Sequence, residues 1–260
     1  MKQGWKIKYF EWGHFALDGG AMFGSIPKVL WSKLTTPDDQ NRIPLSLSSL
    51  LLEKDNHKVF VDLGMGIDWE DKYKKIYSLD AFPLDHVMKK NFSFAPKDVT
   101  HIILSHLHFD HCGFLTSKVG SEFVSNFPNA EIFLIEENYK NALSPHPREA
   151  ASYIKHIWND PMKKGQFTLV NCQWMELREI LPGISFRRVD GHTRGQGIVY
   201  IDGAEEDSLF IGDLCPTRNH LRDVYVMGYD MNAALSVQEK IQVFSDNNIE
   251  NRKLYFPHSV

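Results

Sequence analysis

The segment His101-Ile102-Ile103-Leu104-Ser105-His106-Leu107-His108-Phe109-Asp110-His111 runs a short apolar strand into three imidazoles and a carboxylate. The first five residues have the length and β-branched content of a buried strand. The polar residues therefore fall where a loop leaves a sheet. Four such groups within six residues are costly to bury without partners. A divalent metal satisfies them all, because neutral imidazole nitrogens and carboxylate oxygens are the usual donors to zinc.

Reading outward, further polar residues end other β-rich runs: Asp62 before Leu63-Gly64, His192 in Asp190-Gly191-His192, Asp213 in Ile211-Gly212-Asp213, and His258 in Phe256-Pro257-His258. Strands are expected over Lys6–Trp12, Leu47–Glu53, Lys58–Asp62, His101–Ser105, Glu131–Ile135, Phe167–Val170, Ile184–Val189, Ile198–Ile201, Ser208–Gly212 and Lys253–Phe256. Helical periodicity marks Trp69–Ser78, Leu84–Lys90, Glu136–Leu143, Arg148–Trp158 and Ser236–Asn247, the last with a capping box of Ser236 and Glu239. Strands in two blocks with helices between and after them predict a layered α and β protein with mixed sheets. No repeat, low-complexity stretch or linker interrupts the chain, so residues 1–260 read as a single domain.

Composition narrows the partners. A net charge of −4 argues against nucleic acid as the main ligand. The segment Met1–Ile7 lacks a signal-peptide core, and no stretch approaches the roughly 18 apolar residues of a membrane span. Three scattered cysteines (Cys112, Cys172, Cys215) fit neither a disulfide framework nor a zinc finger. A cytoplasmic protein acting on a small molecule is the expectation, with a homodimer left open.

The ordered set of motifs resembles the metal-binding signature of the metallo-β-lactamase superfamily, over nearly the whole chain. The resemblance implies a four-layer αββα sandwich (α/β, or α+β) in which two mixed β-sheets are flanked by helices. It implies a dinuclear centre in which His106, His108 and His192 hold one divalent ion and Asp110, His111 and His258 the other. Asp213 would bridge them, and Asp62 would orient the ligand loop by hydrogen bonds. The ions would be zinc in the first place, with manganese, iron or cobalt as alternatives that the same donors accept. A shared water of lowered pKa would attack an ester-like carbonyl, with Asp110 and Asp213 as catalytic proton acceptors.

Asp18-Gly19-Gly20-Ala21-Met22-Phe23-Gly24, Gly212-Asp213-Leu214-Cys215-Pro216-Thr217 and Met227-Gly228-Tyr229-Asp230 further resemble the YtnP-type quorum-quenching lactonase branch, which implies an N-acyl homoserine lactone-like substrate and a Gly-rich loop bordering the active site. A phosphotriesterase of the same superfamily is the alternative, and a binding protein without turnover a lesser one. Acyl-homoserine-lactone lactonases carry a tyrosine three residues after the bridging aspartate, where this chain has Pro216. His220, Tyr225 or Tyr229 would then replace the phenol, and Met22, Phe23 and Phe109, with Met65, Phe82 and Leu221, would line an apolar pocket. His14 precedes the Gly-rich loop but lacks ligand spacing. His258 lies two residues from the end of the chain, where relatives continue with a strand or helix.

Overall fold

The computed structural model describes residues 4–246 and 249–260. Its strands, in chain order, are β1 (Lys6–Asp18), β2 (Arg42–Lys54), β3 (His57–Val61), β4 (Asp80–Ala81), β5 (His101–Ile103), β6 (Thr116–Val119), β7 (Glu122–Ser125), β8 (Glu131–Ile135), β9 (Phe167–Val170), β10 (Leu177–Leu181), β11 (Ile184–Val189), β12 (Gln196–Ile201), β13 (Ser208–Phe210) and β14 (Lys253–Tyr255). The helices are α1 (Gly19–Phe23), α2 (Lys28–Trp31), α3 (Asp71–Ile76), α4 (Leu84–Asn91), α5 (Phe109–Cys112), α6 (Glu136–Leu143), α7 (Lys155–Lys163) and α8 (Ala233–Phe244).

Among the described residues the strands form a seven-stranded sheet, β4-β1-β2-β3-β5-β8-β9, a five-stranded sheet, β10-β11-β12-β13-β14, and the β6–β7 hairpin. The alternation of side chains along each strand decides what packs where. Val59 and Val61 of β3 and Phe133 and Ile135 of β8 face Phe186, Val199, Ile201 and Phe210 of the second sheet, which makes the inter-sheet core. Phe60, Ile132 and Leu134 point the opposite way, toward Val87 and Met88 of α4 and Ile157 and Trp158 of α7. On the far side Ile198, Tyr200 and Leu209 pack under Val243 of α8. The result is the expected helix–sheet–sheet–helix sandwich. Each large side chain buried this way contributes roughly 1.5–3 kcal/mol before entropy is counted.

Strand direction positions the site. β3, β5, β8 and β9 run parallel to one another. β11 and β13 are each antiparallel to β12, and β14 is parallel to β13, so β11, β13 and β14 share one direction. Asp62 and His106 follow β3 and β5, and His192, Asp213 and His258 follow β11, β13 and β14. The two sheets are stitched beside these ends, where Gly197 N donates to Ser105 O at 2.8 Å.

Several boundaries differ from expectation. β1 and β2 are longer, and the polar hairpin β6–β7 and strand β10 lack the apolar alternation that would reveal them. The Arg148–Trp158 stretch is no single helix: a 3-10 turn at Ala150–Ser152 gives way to extended Tyr153 and Ile154 before α7 begins. Helix α8 starts earlier than Ser236, capped by Asn232, whose side chain accepts from Leu235 N at 3.1 Å. The capping box is therefore corrected: Ser236 and Glu239 are buried inside the helix. The expected Asn247 end lies outside the described residues, as do Met1, Lys2 and Gln3. No helix among those described is long and apolar enough to cross a membrane.

Candidate metal centre

The four ligand-type residues of the first motif are set by a sharp exit from β5. Asp62, at φ +58°, occupies the left-handed region that aspartate tolerates better than most residues. This turns its carboxylate back under the loop. Oδ1 accepts from Ser105 N at 2.7 Å, and Oδ2 from Ser105 Oγ at 2.7 Å and His111 Nδ1 at 2.8 Å. Short helix α5 then places Asp110 and His111 one turn beyond His108.

The other sheet supplies the rest. Glu239 of α8 braces the backbone before His192, accepting from Asp190 N at 2.7 Å and Gly191 N at 2.9 Å. Gly212, at φ +54°, makes the turn that presents Asp213. The Gln196 amide, oriented so that both its ends are satisfied, accepts from Asp213 N at 2.9 Å and Leu214 N at 3.0 Å. His258 is tied by its N–H to Pro216 O at 3.0 Å and by Nδ1 to Ser46 O at 2.9 Å.

The seven residues converge. His106, His108 and His192 form one group, Asp110, His111 and His258 a second, and His106, His111 and Asp213 a third, the donor atoms in each lying within 4.8 Å of one another. Asp213 spans the first two groups: Oδ2 is 3.4 Å from His192 Nε2, and Oδ1 is 3.3 Å from His111 Nε2 and 3.4 Å from His258 Nε2. Asp110 Oδ2 lies 3.6 Å from His258 Nε2.

The hydrogen-bond network assigns the tautomers. His111, His192 and His258 spend Nδ1–H on Asp62 Oδ2, Asp230 Oδ1 and Ser46 O. His106 spends its own on Ser105 Oγ, whose hydroxyl donates to Asp62. All four turn Nε2 inward. His108 is reversed: Nδ1 faces His192 Nε2 at 3.2 Å, while Nε2 faces Glu149 Oε2 at 3.6 Å.

Buried His106 Nε2 and Asp213 Oδ1 have no hydrogen-bond partner, and the lone pairs of His111 Nε2 and His258 Nε2 confront each other at 3.3 Å. Such an arrangement is unstable unless a cation or protons fill it. The nitrogen and carboxylate donors, their spacing and these orphaned atoms fit divalent ions. Burial holds His106 and His108 below the ordinary imidazole value, the neutral form a metal requires. Burial opposes charge on Asp213 too, but His111, His258 and His192 outweigh it and hold the carboxyl well below its usual range. Burial likewise opposes charge on His111 and His192, and Asp213 beside them wins, raising both.

His108, Asp110, His192, Asp213 and His258 form the floor of a cavity of about 390 Å³, walled by Leu17, Met22, Tyr77, Phe109, Met227 and Tyr229, with Arg148 and Ser152 at its side; His106 and His111 are buried and do not line it. Arg148 Nη2 donates across it to Gly228 O. The Gly-rich loop borders the cavity through Met22, and Gly24 (φ +56°) lets the chain turn hard against the Val226 carbonyl.

Of the nine residues expected at the pocket, as apolar lining or as the replacement for the phenol, Met22, Phe109 and Tyr229 line it. Phe23, His220 and Tyr225 do not, which corrects that expectation. Phe23 stacks between Trp31 and His220 at ring distances of 5.5 and 4.7 Å, with Tyr225 edge-on at 6.2 Å. His220 is consumed by Met22 O at 2.9 Å and Thr217 Oγ1 at 2.8 Å. Met65 lines a neighbouring cavity, and Phe82 and Leu221 pack against the apolar cores. His14 lies on β1, 3.4 Å from Glu11, outside the cavity. Tyr77, Arg148, Glu149 and Asp230 were not read as site residues: the first three stand in no motif, and Asp230 ends the Met227–Asp230 segment with nothing local to show that it meets His192. All three cysteines are buried and free.

A sandwich with this His and Asp cluster at one rim of its sheets is the architecture of a metal-dependent hydrolase. The chain belongs to the metallo-β-lactamase superfamily, whose sequence model matches residues 42–247. Among curated relatives, a probable metallo-hydrolase of Mycobacterium tuberculosis is 25% identical over 232 residues, covering 81% of this chain and 69% of that protein. An N-acyl homoserine lactonase of Bacillus thuringiensis is 26% identical over 175 residues, covering 63% of this chain and 62% of the lactonase. A solved structure of a probable metal-dependent hydrolase from Staphylococcus aureus superposes with a TM-score of 0.88 at 26% identity, covering 100% of this chain and 91% of the other. The dizinc quorum-quenching lactonase AidC, solved with the product N-hexanoyl-L-homoserine, shares the fold at a TM-score of 0.76 and 18% identity, with coverage of 100% and 89%.

Proposed function

We propose that this metal-dependent hydrolase opens a lactone of the N-acyl homoserine type, or a related carboxylic ester, at a dinuclear centre. His106, His108 and His192 hold one divalent ion, Asp110, His111 and His258 the other, and Asp213 lies between them. The observation that carries the reading is the convergence of these seven donors, five of which (His108, Asp110, His192, Asp213 and His258) line the floor of a cavity whose walls are largely apolar. The likeness to the B. thuringiensis lactonase supports the substrate class.

Two divalent ions in such a site supply Lewis acidity toward the carbonyl and lower the pKa of water to near 7. The chain's own residues do the rest. Leu17, Met22, Phe109 and Met227 exclude water and hold the acyl chain, in a volume within the usual range for small-molecule sites. Asp110, the ligand-type carboxylate most open to the cavity, takes the proton from the attacking water and returns it to the departing alkoxide oxygen, which balances ring opening to a hydroxy acid. Tyr229 stands in for the phenol absent at Pro216. Its residue is 41% exposed at the cavity wall, and a phenol keeps its proton at neutral pH, so it is available as a hydrogen-bond donor.

The test loads the protein with zinc or manganese and compares kcat/KM on a long-chain N-acyl homoserine lactone and on a phosphotriester. A ten-fold preference for the lactone is expected, equivalent to about 1.4 kcal/mol of transition-state stabilisation. A phosphotriester preference, or silence on both with two ions bound, overturns the substrate assignment.

A further inference from the structure

We propose that Glu149 is a positioning residue for His108: its carboxylate fixes the proton on Nε2 and so commits Nδ1 to the ion shared with His106 and His192. The proposal rests on the metal-centre reading above. His108 is the one imidazole of the cluster that turns Nδ1 inward, and the others are each oriented by a partner on the opposite nitrogen. For His108 that nitrogen is Nε2, which is buried, has no hydrogen-bond partner, and faces Glu149 Oε2 at 3.6 Å. A small closure brings the pair to hydrogen-bond length.

Glu149 is built into place rather than drifting on the surface. Its residue is 7% exposed. Oε2 accepts from Thr193 Oγ1 at 2.7 Å and Oε1 from Asn141 Nδ2 at 2.9 Å. Tyr153 OH, 2.7 Å from Thr193 Oγ1, also receives Asn141 and Asn138 amides at 3.1 and 3.2 Å. The Tyr153 ring meets the His108 ring edge-on at 4.8 Å. Asn138 Oδ1 in turn accepts from Leu107 N, the residue beside His108, at 2.9 Å. Two donors therefore aim the carboxylate, and one acceptor aims the imidazole backbone. An imidazole without an acceptor at Nε2 is free to place its proton on Nδ1, which cannot then donate to a cation.

The experiment compares Glu149→Gln, which keeps an oxygen acceptor, with Glu149→Met, which keeps the length and loses it. Zinc is titrated into the full chain against a chromophoric chelator, and the His108 ring nitrogens are followed by 15N NMR of the zinc-loaded protein. Two strong equivalents are expected for the wild type. In Glu149→Met one equivalent weakens by about 10–100-fold while the other is unchanged, and the protonated Nε2 signature of His108 is lost. Glu149→Gln recovers most of the affinity and the signature. A Met variant matching the wild type overturns the proposal. So does one that loses both ions alike or fails to fold, which makes Glu149 structural only. Wild-type protein that binds no pair of ions overturns the underlying metal-centre reading instead.

Discussion

Asp62 Oδ2 lies 2.8 Å from His111 Nδ1, with both side chains sealed from solvent. The same carboxylate holds Ser105 through its N–H and its hydroxyl, and through Ser105 it orients His106. One residue after β3 thus aims an imidazole of each proposed ligand group.

Asp62→Asn should therefore weaken zinc binding by about 10–100-fold and cost about 1–3 kcal/mol of stability, because an amide NH₂ would face buried donors. Metal titration with denaturant unfolding checks this. Unchanged values in both would remove the orienting role.

Asp110→Asn should lower turnover by about 10²–10⁴-fold with the circular dichroism spectrum preserved. A near-normal rate in the metal-loaded variant would end its assignment as the proton acceptor.

The two tyrosines should separate. Tyr229→Phe should reduce kcat/KM by about ten-fold, the worth of one hydrogen bond made in the transition state. Tyr225→Phe should leave the rate within about two-fold, since its ring packs on Phe23 outside the cavity. The opposite ranking would mean that the phenol acting on substrate is Tyr225.

Burial, with help from the Lys240 charge and against the hydrogen bond to Met22 O, pushes His220 down from 6.5 to about 4. The unfolded chain then binds more protons than the native one between these values. His220 costs stability as pH falls from 6.5 toward 4, by roughly 3 kcal/mol in full. The metal-saturated wild type should lose more stability over this window than His220→Gln does. Equal slopes would show that the native imidazole is protonated normally.

How much of this was legible depends on where the information sits. Ligand-type residues at strand ends are local, and His106 to His111 announce themselves within one loop. Short β-rich runs such as Glu131–Ile135 and Ile184–Val189 appear as strands with the expected bounds. The surrounding braces are long-range and silent. Glu239 looks like a helix cap, yet its carboxylate reaches Asp190, Gly191 and Trp174. Glu149 falls in a stretch whose apolar spacing imitates a helix, while Tyr153 and Ile154 stay extended and the Glu149 carboxylate and Tyr153 hydroxyl meet in one inner network. His220 and Tyr225 follow a motif and look available, but Phe23 and Met22 claim them.

The most direct test of the central claim is an anomalous difference map from crystals of the zinc-loaded protein, collected on both sides of the zinc edge. Two peaks roughly 3.5–4 Å apart are expected, one among His106, His108 and His192, the other among Asp110, His111 and His258, with Asp213 reaching both. A single peak, or ions bound away from these residues, would contradict the dinuclear centre.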